Sequence, residues 1–226
     1  MRSEIRHEET HPLLAVGLDR GEALTAEAGA MVTTAGGIEI EATRGESSGM
    51  LSSLRRGTSS REAVRVVRFV AENGSGQVTL APPLPGDIVR TMIRDEPVFV
   101  VQSGSFLGAA ETVTVDATAD TDQPLRGDEG LSFLRLAGSG PAFLAGYGAV
   151  ESRRLDRSDS VTVNTGNVVA FTGEVTYDLE TVEGLKSNVF QDEAVISRFQ
   201  GPGQVWIQTR SHEAYLAWLR PHVTED

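Results

Sequence analysis

The sequence predicts an all-β protein in which three similar β units are followed by one short helix. Three observations favour this class: a glycine-anchored segment recurs three times, several stretches alternate between apolar and polar residues, and helix-start signals occur near the C-terminus. A spacing held across three copies is typical of a repeated supersecondary unit. We therefore expect residues 1–226 to form a single compact unit, with repeats at about 13–83, 84–150 and 151–210 and a helix over 211–220.

The recurring segments begin at Gly29, Gly104 and Gly166. Nine residues after each glycine comes a tetrad in the order hydrophobic, polar, hydrophobic, acidic, at 38–41, 113–116 and 175–178. The shared spacing predicts that each glycine supplies the same backbone geometry, either a positive φ or a close approach of strands. An added β-carbon at any of the three would then destabilise the fold, whereas a loop glycine such as Gly45 would tolerate it.

Each unit also has a second half, which a glycine-rich turn introduces. The turns lie at residues 73–76, 138–140 and 201–203, and each runs into another apolar stretch. Because glycine readily adopts the positive φ of tight β connections, these turns predict hairpins. Residues 44–62, rich in serine, glycine and arginine, predict an exposed loop.

The C-terminal helix follows from its boundary signals. Ser211 is a good N-cap residue, Glu213 supplies a negative charge in the first turn, and Pro221 stops the helix. The predicted helix carries four large apolar residues, Tyr215, Leu216, Trp218 and Leu219.

Composition excludes several classes of function. The absence of cysteine removes disulfides, thiolate nucleophiles and cysteine-based metal sites. The net charge of −12 disfavours nucleic acid as a partner, because an acidic surface repels phosphate backbones. Lys186 is the single lysine among 20 basic residues, and this bias with so many acids is typical of proteins adapted to high salt. The N-terminus lacks the apolar core of a signal peptide, which predicts a cytoplasmic protein.

Two groups of residues are candidates for metal or proton chemistry. The four histidines, His7, His11, His212 and His222, are scattered, and solvated surface positions are the favoured interpretation over a metal site. Three acids hold equivalent places in the units, and so do three arginines: Glu41, Asp116 and Asp178, with Arg68, Arg135 and Arg198. A ring of such acids could bind a cation, but local ion pairs between strands are the favoured interpretation.

No catalytic signature stands out, so we assign no catalytic, cofactor-binding or metal-binding residues. The leading hypothesis is a non-enzymatic scaffold or binding module that acts as a homo-oligomer or with a protein partner, and peripheral membrane association stays open. The alternative is a small-molecule- or metal-dependent enzyme on a β-barrel scaffold, which would cluster histidines and carboxylates on adjacent strands.

Phrases along almost the whole chain resemble the altered inheritance of mitochondria twenty-four family; they lie at residues 21–32, 80–88, 147–149, 164–171, 184–187 and 201–211. The resemblance implies an all-β sandwich or barrel similar to the fold of the tryptophan RNA-binding attenuator protein, with the three repeats related by pseudo-threefold symmetry. Fungal members are associated with the mitochondrial inner membrane and its organisation, which implies protein or membrane-associated partners. The family brings no catalytic residues to carry over.

Overall fold

The computed structural model describes residues 1–42, 66–117, 133–186 and 193–223, and it confirms the all-β class with a short C-terminal helix. The strands are β1 (Arg2–Arg6), β2 (Leu13–Leu18), β3 (Ala23–Glu27), β4 (Met31–Ala42), β5 (Val66–Leu80), β6 (Ile88–Ile93), β7 (Phe99–Gln102), β8 (Phe106–Ala110), β9 (Val113–Ala117), β10 (Phe133–Gly138), β11 (Gly140–Ala145), β12 (Val150–Leu155), β13 (Ser160–Asn164), β14 (Val168–Thr172), β15 (Thr176–Lys186), β16 (Glu193–Gln200) and β17 (Gly203–Gln208). The helix α1 spans His212–Leu219. The predicted loop at 44–62 lies outside the described residues.

The described strands form three antiparallel sheets. The first has the order β1-β2-β5-β3-β8-β11-β6, with β4 also paired to β5. The second has the order β12-β17-β14-β7-β10-β9, and the third is β13-β16-β15. Two of these pairings, β3 with β8 and β7 with β14, join strands from different predicted repeats.

One core cluster lies where the first two sheets meet. Phe106 and Leu144 from the first sheet pack with Val101, Leu136 and Trp206 from the second, and all five are buried. Burying a large apolar side chain stabilises the folded state by about 1.5–3 kcal/mol, so this layer contributes strongly to holding the two sheets together.

The predicted alternation is confirmed in β9. Val113 and Val115 are buried, whereas Thr114 and Asp116 between and after them are only partly buried. Because successive side chains of a strand point to opposite faces, this strand presents one face to the core and the other toward solvent.

The predicted hairpins at the glycine-rich turns are wrong, although the predicted positive φ is present. Gly74, Gly138 and Gly203 have φ of +130°, +102° and +147°. The flanking strands do not pair with each other: β10 pairs with β7 and β9, whereas β11 pairs with β6 and β8. β16 and β17 likewise lie in different sheets, and β5 runs through its glycines as one strand. The bends at Gly138 and Gly203 therefore carry the chain from one sheet to another, as at the corners of β-sandwiches, whereas Gly74 lies within a strand of the first sheet.

The prediction for the three anchoring glycines is wrong at Gly29 and Gly104. Neither has a positive φ, and no atom lies within 4 Å of an added β-carbon. At Gly166 an added β-carbon would meet the flexible carboxylate of Glu213. These glycines lie in turns or short 3-10 helices, whose backbone conformation is open to any residue. Gly45 lies outside the described residues.

The helix prediction is confirmed within one residue at each end. The hydroxyl oxygen of Ser211 accepts a hydrogen bond from the backbone N–H of Ala214 at 3.1 Å, which caps the first turn. In the described part of the chain, no helix has the length and apolar character needed to cross a lipid bilayer.

Stability is expected to rise with salt. With a net charge of −12, the folded chain repels itself, and the Debye length falls to about 3 Å at 1 M salt. The midpoint of thermal unfolding is therefore expected to be higher in molar potassium chloride than in dilute buffer. A midpoint that is unchanged or lower in molar salt would contradict this.

Candidate binding surfaces

The repeated acids and arginines are cross-strand partners. Each acid lies directly opposite one arginine on the neighbouring antiparallel strand; the pairs are Glu41 with Arg68, Asp116 with Arg135, and Asp178 with Arg198. The three acids belong to three different sheets. Across residues 1–42, 66–117, 133–186 and 193–223, no group of three or more histidines and carboxylates is arranged to hold a metal ion.

Arg68 contacts two acids. Its Nη1 donates to Glu41 Oε2 at 2.8 Å, and its Nη2 donates to Glu111, which follows β8. Burial acts to lower the pKa of Arg68, but the hydrogen bonds to Glu41 and Glu111 outweigh it and the pKa is raised. Arg68 thus links β5 to β4 and to the turn after β8, a connection between the first two predicted repeats.

Replacing Arg68 should therefore cost more than replacing its counterpart Arg135, which is exposed. We expect Arg68→Gln to lower the free energy of unfolding by about 1 kcal/mol and Arg135→Gln by less than about 0.5 kcal/mol. Urea denaturation of both variants measures this difference. Equal losses would show that the link to Glu41 and Glu111 adds nothing.

The histidines lie on two separate parts of the fold. His7 and His11 follow β1 in a non-helical, exposed segment. His212 begins α1 with its ring 6.0 Å from that of Tyr147, and the ring of His222 stacks on Trp218 at 5.1 Å. The second pair belongs to an aromatic cluster that the sequence did not reveal.

This cluster borders a groove between α1 and the sheets, here called the aromatic groove. The ring of Tyr215 lies 6.0 Å from that of Tyr147 and 6.2 Å from that of Trp218. The groove has a volume of about 530 Å³, and its lining also includes the polar residues Asn164, Asn167 and Arg210. It therefore combines aromatic surface with hydrogen-bonding groups.

Beside the groove, α1 and the segment that follows it expose apolar side chains to solvent. Trp218 is 61% exposed, and Tyr215, Leu216 and, beyond the helix, Val223 are also exposed; we call these four residues the helix face. Within the helix face the rings of Tyr215 and Trp218 stack on each other. Exposed apolar surface marks interaction sites, and tryptophan and tyrosine are enriched among the residues that dominate binding energy.

A second exposed apolar surface lies at the start of β4. Met31 is 42% exposed and Val32 is 51% exposed. Val32 occupies a β-bulge, because the pairing with β5 passes from Met31 directly to Thr33. We call residues 31–35 the β4 edge, since in the described part of the chain they pair with β5 on one side only.

The same bulge occurs in β8 and β14, where its residue is covered. Leu107 is skipped in the pairing of β8 with β11, and Val169 in the pairing of β14 with β17. Both side chains are 0% exposed. β8 and β14 differ from the β4 edge in having a further strand, β3 or β7, on their other side.

These features define an all-β sandwich protein with exposed apolar surfaces at α1 and at the start of β4. The chain belongs to the Mitochondrial biogenesis AIM24 family, whose model matches residues 3–210. The family predicted from the resemblance is thus confirmed.

The chain is also similar to two Streptococcus pyogenes proteins. An uncharacterized protein of serotype M6 is 25% identical to this chain over 230 residues, which cover 99% of this chain and 91% of that protein. The X-ray crystal structure of a protein from the same species superposes with a TM-score of 0.80 at 23% identity, covering 98% of this chain and 99% of that one. The structural likeness shows that the fold is shared.

Proposed function

We propose that this protein is a non-enzymatic scaffold that works by binding protein partners. The observation that carries the proposal is the pair of exposed apolar surfaces, the helix face and the β4 edge. Exposed tryptophan, valine and methionine side chains lose their unfavourable contact with water when a partner covers them. Beside the helix face, Asn164 accepts a hydrogen bond from the backbone of Gly166 and Asn167 donates one to the backbone of Gln208. The remaining hydrogen-bonding capacity of these two amides, together with Arg210, is suited to polar atoms of a protein ligand.

Net charge favours a protein partner over a membrane surface or nucleic acid. At a net charge of −12 the chain is repelled by anionic lipid headgroups and by nucleic acid, whereas a protein partner can present basic or neutral surface. Binding to a protein is also compatible with high salt, since apolar contacts are not weakened by screening of charges.

Quantitative capture from native cells at native salt tests the proposal. The bait is the wild-type chain, beside Trp218→Ala in the helix face and a control, Met92→Ala, in the edge strand β6. Met92 is 52% exposed, so the control removes a comparably exposed apolar side chain elsewhere. The expected result is a partner that the wild type and the control retain and Trp218→Ala loses. The same proteins in the same amounts on all three baits would overturn the proposal.

A further inference from the structure

We infer that copies of this chain associate head to tail, with the β4 edge of one copy adding antiparallel to β13 of the next. The inference rests on the proposed function, protein binding at exposed apolar surfaces, and it identifies the partner as a second copy of the chain. The contact would repeat between two chains a strand pairing that occurs twice within one chain.

The two internal pairings have the same register when counted from the anchoring glycines. In the pairing of β3 with β8, Thr25 lies opposite Ala109. Thr25 precedes Gly29 by four residues, and Ala109 follows Gly104 by five. In the pairing of β7 with β14, Val100 lies opposite Phe171; Val100 precedes Gly104 by four residues, and Phe171 follows Gly166 by five. A single geometry thus joins the first segment to the second and the second to the third.

Applied to the remaining segments, this register predicts one further pairing, between β13 and the β4 edge. Four residues before Gly166 is Thr162 in β13, and five residues after Gly29 is Thr34 in the β4 edge. Within the described residues, β13 pairs with β16 alone, just as the β4 edge pairs with β5 alone. Pairing between copies in the internal register would place Thr162 opposite Thr34 and Val161 opposite Ala35.

Burial shows what this pairing would cover. The bulge residues Leu107 and Val169 are fully buried at the two internal junctions, whereas Val32 at the same place is 51% exposed. Their predecessors Phe106 and Val168 are also fully buried, whereas Met31 is not. Adding β13 of another copy would give Met31 and Val32 the apolar surroundings that their counterparts already have.

Both edges lack the charges that usually keep open strands apart. The β4 edge reads Met-Val-Thr-Thr-Ala, and β13 reads Ser-Val-Thr-Val-Asn. Open strands in soluble proteins are commonly protected by lysine, other charges or proline. In a chain so rich in acids, two uncharged open edges are suited to pairing with each other.

The register also brings the β4 edge close to the aromatic groove. Asn164, two residues beyond Thr162, would lie opposite Val32 of the incoming copy. Asn164 lines the groove beside Tyr215 and Trp218. The exposed apolar residues of one copy would thus lie next to those of the other.

Because the two edges differ, each added copy leaves one edge open, and the assembly grows into a ring or a chain.

Disulfide trapping tests the register, since the natural chain has no cysteine. Thr34→Cys and Thr162→Cys chains are mixed and oxidised, and so are Ala35→Cys and Val161→Cys chains. Adjacent antiparallel pairs alternate between wide and narrow Cα spacing, so one of the two pairs has the geometry that a disulfide prefers. We expect linked dimers from at least one pair and a loss of linking when Ser160→Cys replaces Thr162→Cys. Equal yields of linked dimer from Thr34→Cys with Thr162→Cys and from Thr34→Cys with Ser160→Cys would overturn the inference.

Sedimentation velocity over a range of concentrations in molar salt tests the association itself. We expect the wild type to form species larger than a dimer, Val32→Asp to remain monomeric, and the control Met92→Asp to associate like the wild type. A monomeric wild type at every concentration would overturn the inference. So would a chain carrying both Thr34→Cys and Thr162→Cys that links only within itself.

The experiments distinguish failure of head-to-tail association from failure of the scaffold function. A monomeric wild type that still captures a partner through Trp218 rejects head-to-tail association and leaves the scaffold function standing. Association that depends on Val32, without any Trp218-dependent capture, supports the inference and limits the scaffold's partners to other copies of itself.

Discussion

Leu107→Ala is expected to lower the free energy of unfolding by about 3 kcal/mol, whereas Val32→Ala should change it by less than about 0.5 kcal/mol. The two residues occupy the same bulge in β8 and β4. Leu107 is fully buried in a core cluster with Leu24, Phe69 and Phe143, so its truncation leaves a cavity. Val32 has no such surroundings among the described residues, where half of its side chain is exposed.

Urea denaturation measures both effects, with the protein dilute enough to be monomeric. Raising the protein concentration provides the control. Association should then stabilise the wild type alone, so that Val32→Ala shows a lower free energy of unfolding than the wild type. A large loss for Val32→Ala in dilute protein would mean that its side chain is already buried within the monomer, contrary to the structure.

Gly138→Ala is expected to lower the free energy of unfolding by about 2 kcal/mol or more. Gly138 has a φ of +102°, in the region that L-residues avoid, and an added β-carbon would strike the carbonyl oxygen of Thr112. Because this bend passes the chain from β10 in one sheet to β11 in another, relaxing it would disturb both sheets.

Gly104→Ala is the matched control, and it should be neutral or stabilising by a few tenths of a kcal/mol. Its φ is not positive, its added β-carbon meets no atom within 4 Å, and alanine restricts the unfolded chain more than glycine does. Guanidinium denaturation of the two variants decides the matter. Comparable losses at Gly104 and Gly138 would restore the anchoring glycines as conformational pivots.

Much of the fold could be predicted from local patterns. Alternation in residues 113–116 marked a strand with one buried face, and Ser211, Glu213 and Pro221 located the helix to within a residue at each end. Both signals act over a few residues, through the geometry of a strand and the capping of a helix. The family resemblance supplied the overall class, which the family match and the shared fold confirm.

Strand partners could not be predicted in the same way. A glycine with a positive φ serves a hairpin and a bend between sheets equally well, so Gly138 and Gly203 did not distinguish the two. The choice depends on which distant strands cover each side, as when β7 and β9 flank β10. Such contacts join residues far apart in the sequence, and no periodic pattern in the sequence indicates them.

The candidate surfaces escaped prediction for a related reason. Tyr215, Leu216 and Trp218 have the composition of a buried helix, yet in α1 only Ala217 is buried. Met31 and Val32 likewise match the buried Phe106 and Leu107 in apolar character, but within the described residues the β4 edge has no counterpart to the strand β3 that flanks β8. Exposure of an apolar residue is set by its neighbours in space, which composition does not report.

Hydrogen–deuterium exchange at two protein concentrations tests most directly the claim that the two uncharged edges bind each other. The amides of residues 31–35 and 160–164 should both gain protection as the concentration rises, because pairing would bury their unpaired backbone groups. The edge strand β6 should exchange at the same rate throughout. A change in the exchange of β6 would signal nonspecific association, so concentrations are kept below that point. Within this range, unchanged exchange in both segments would contradict head-to-tail association of this chain.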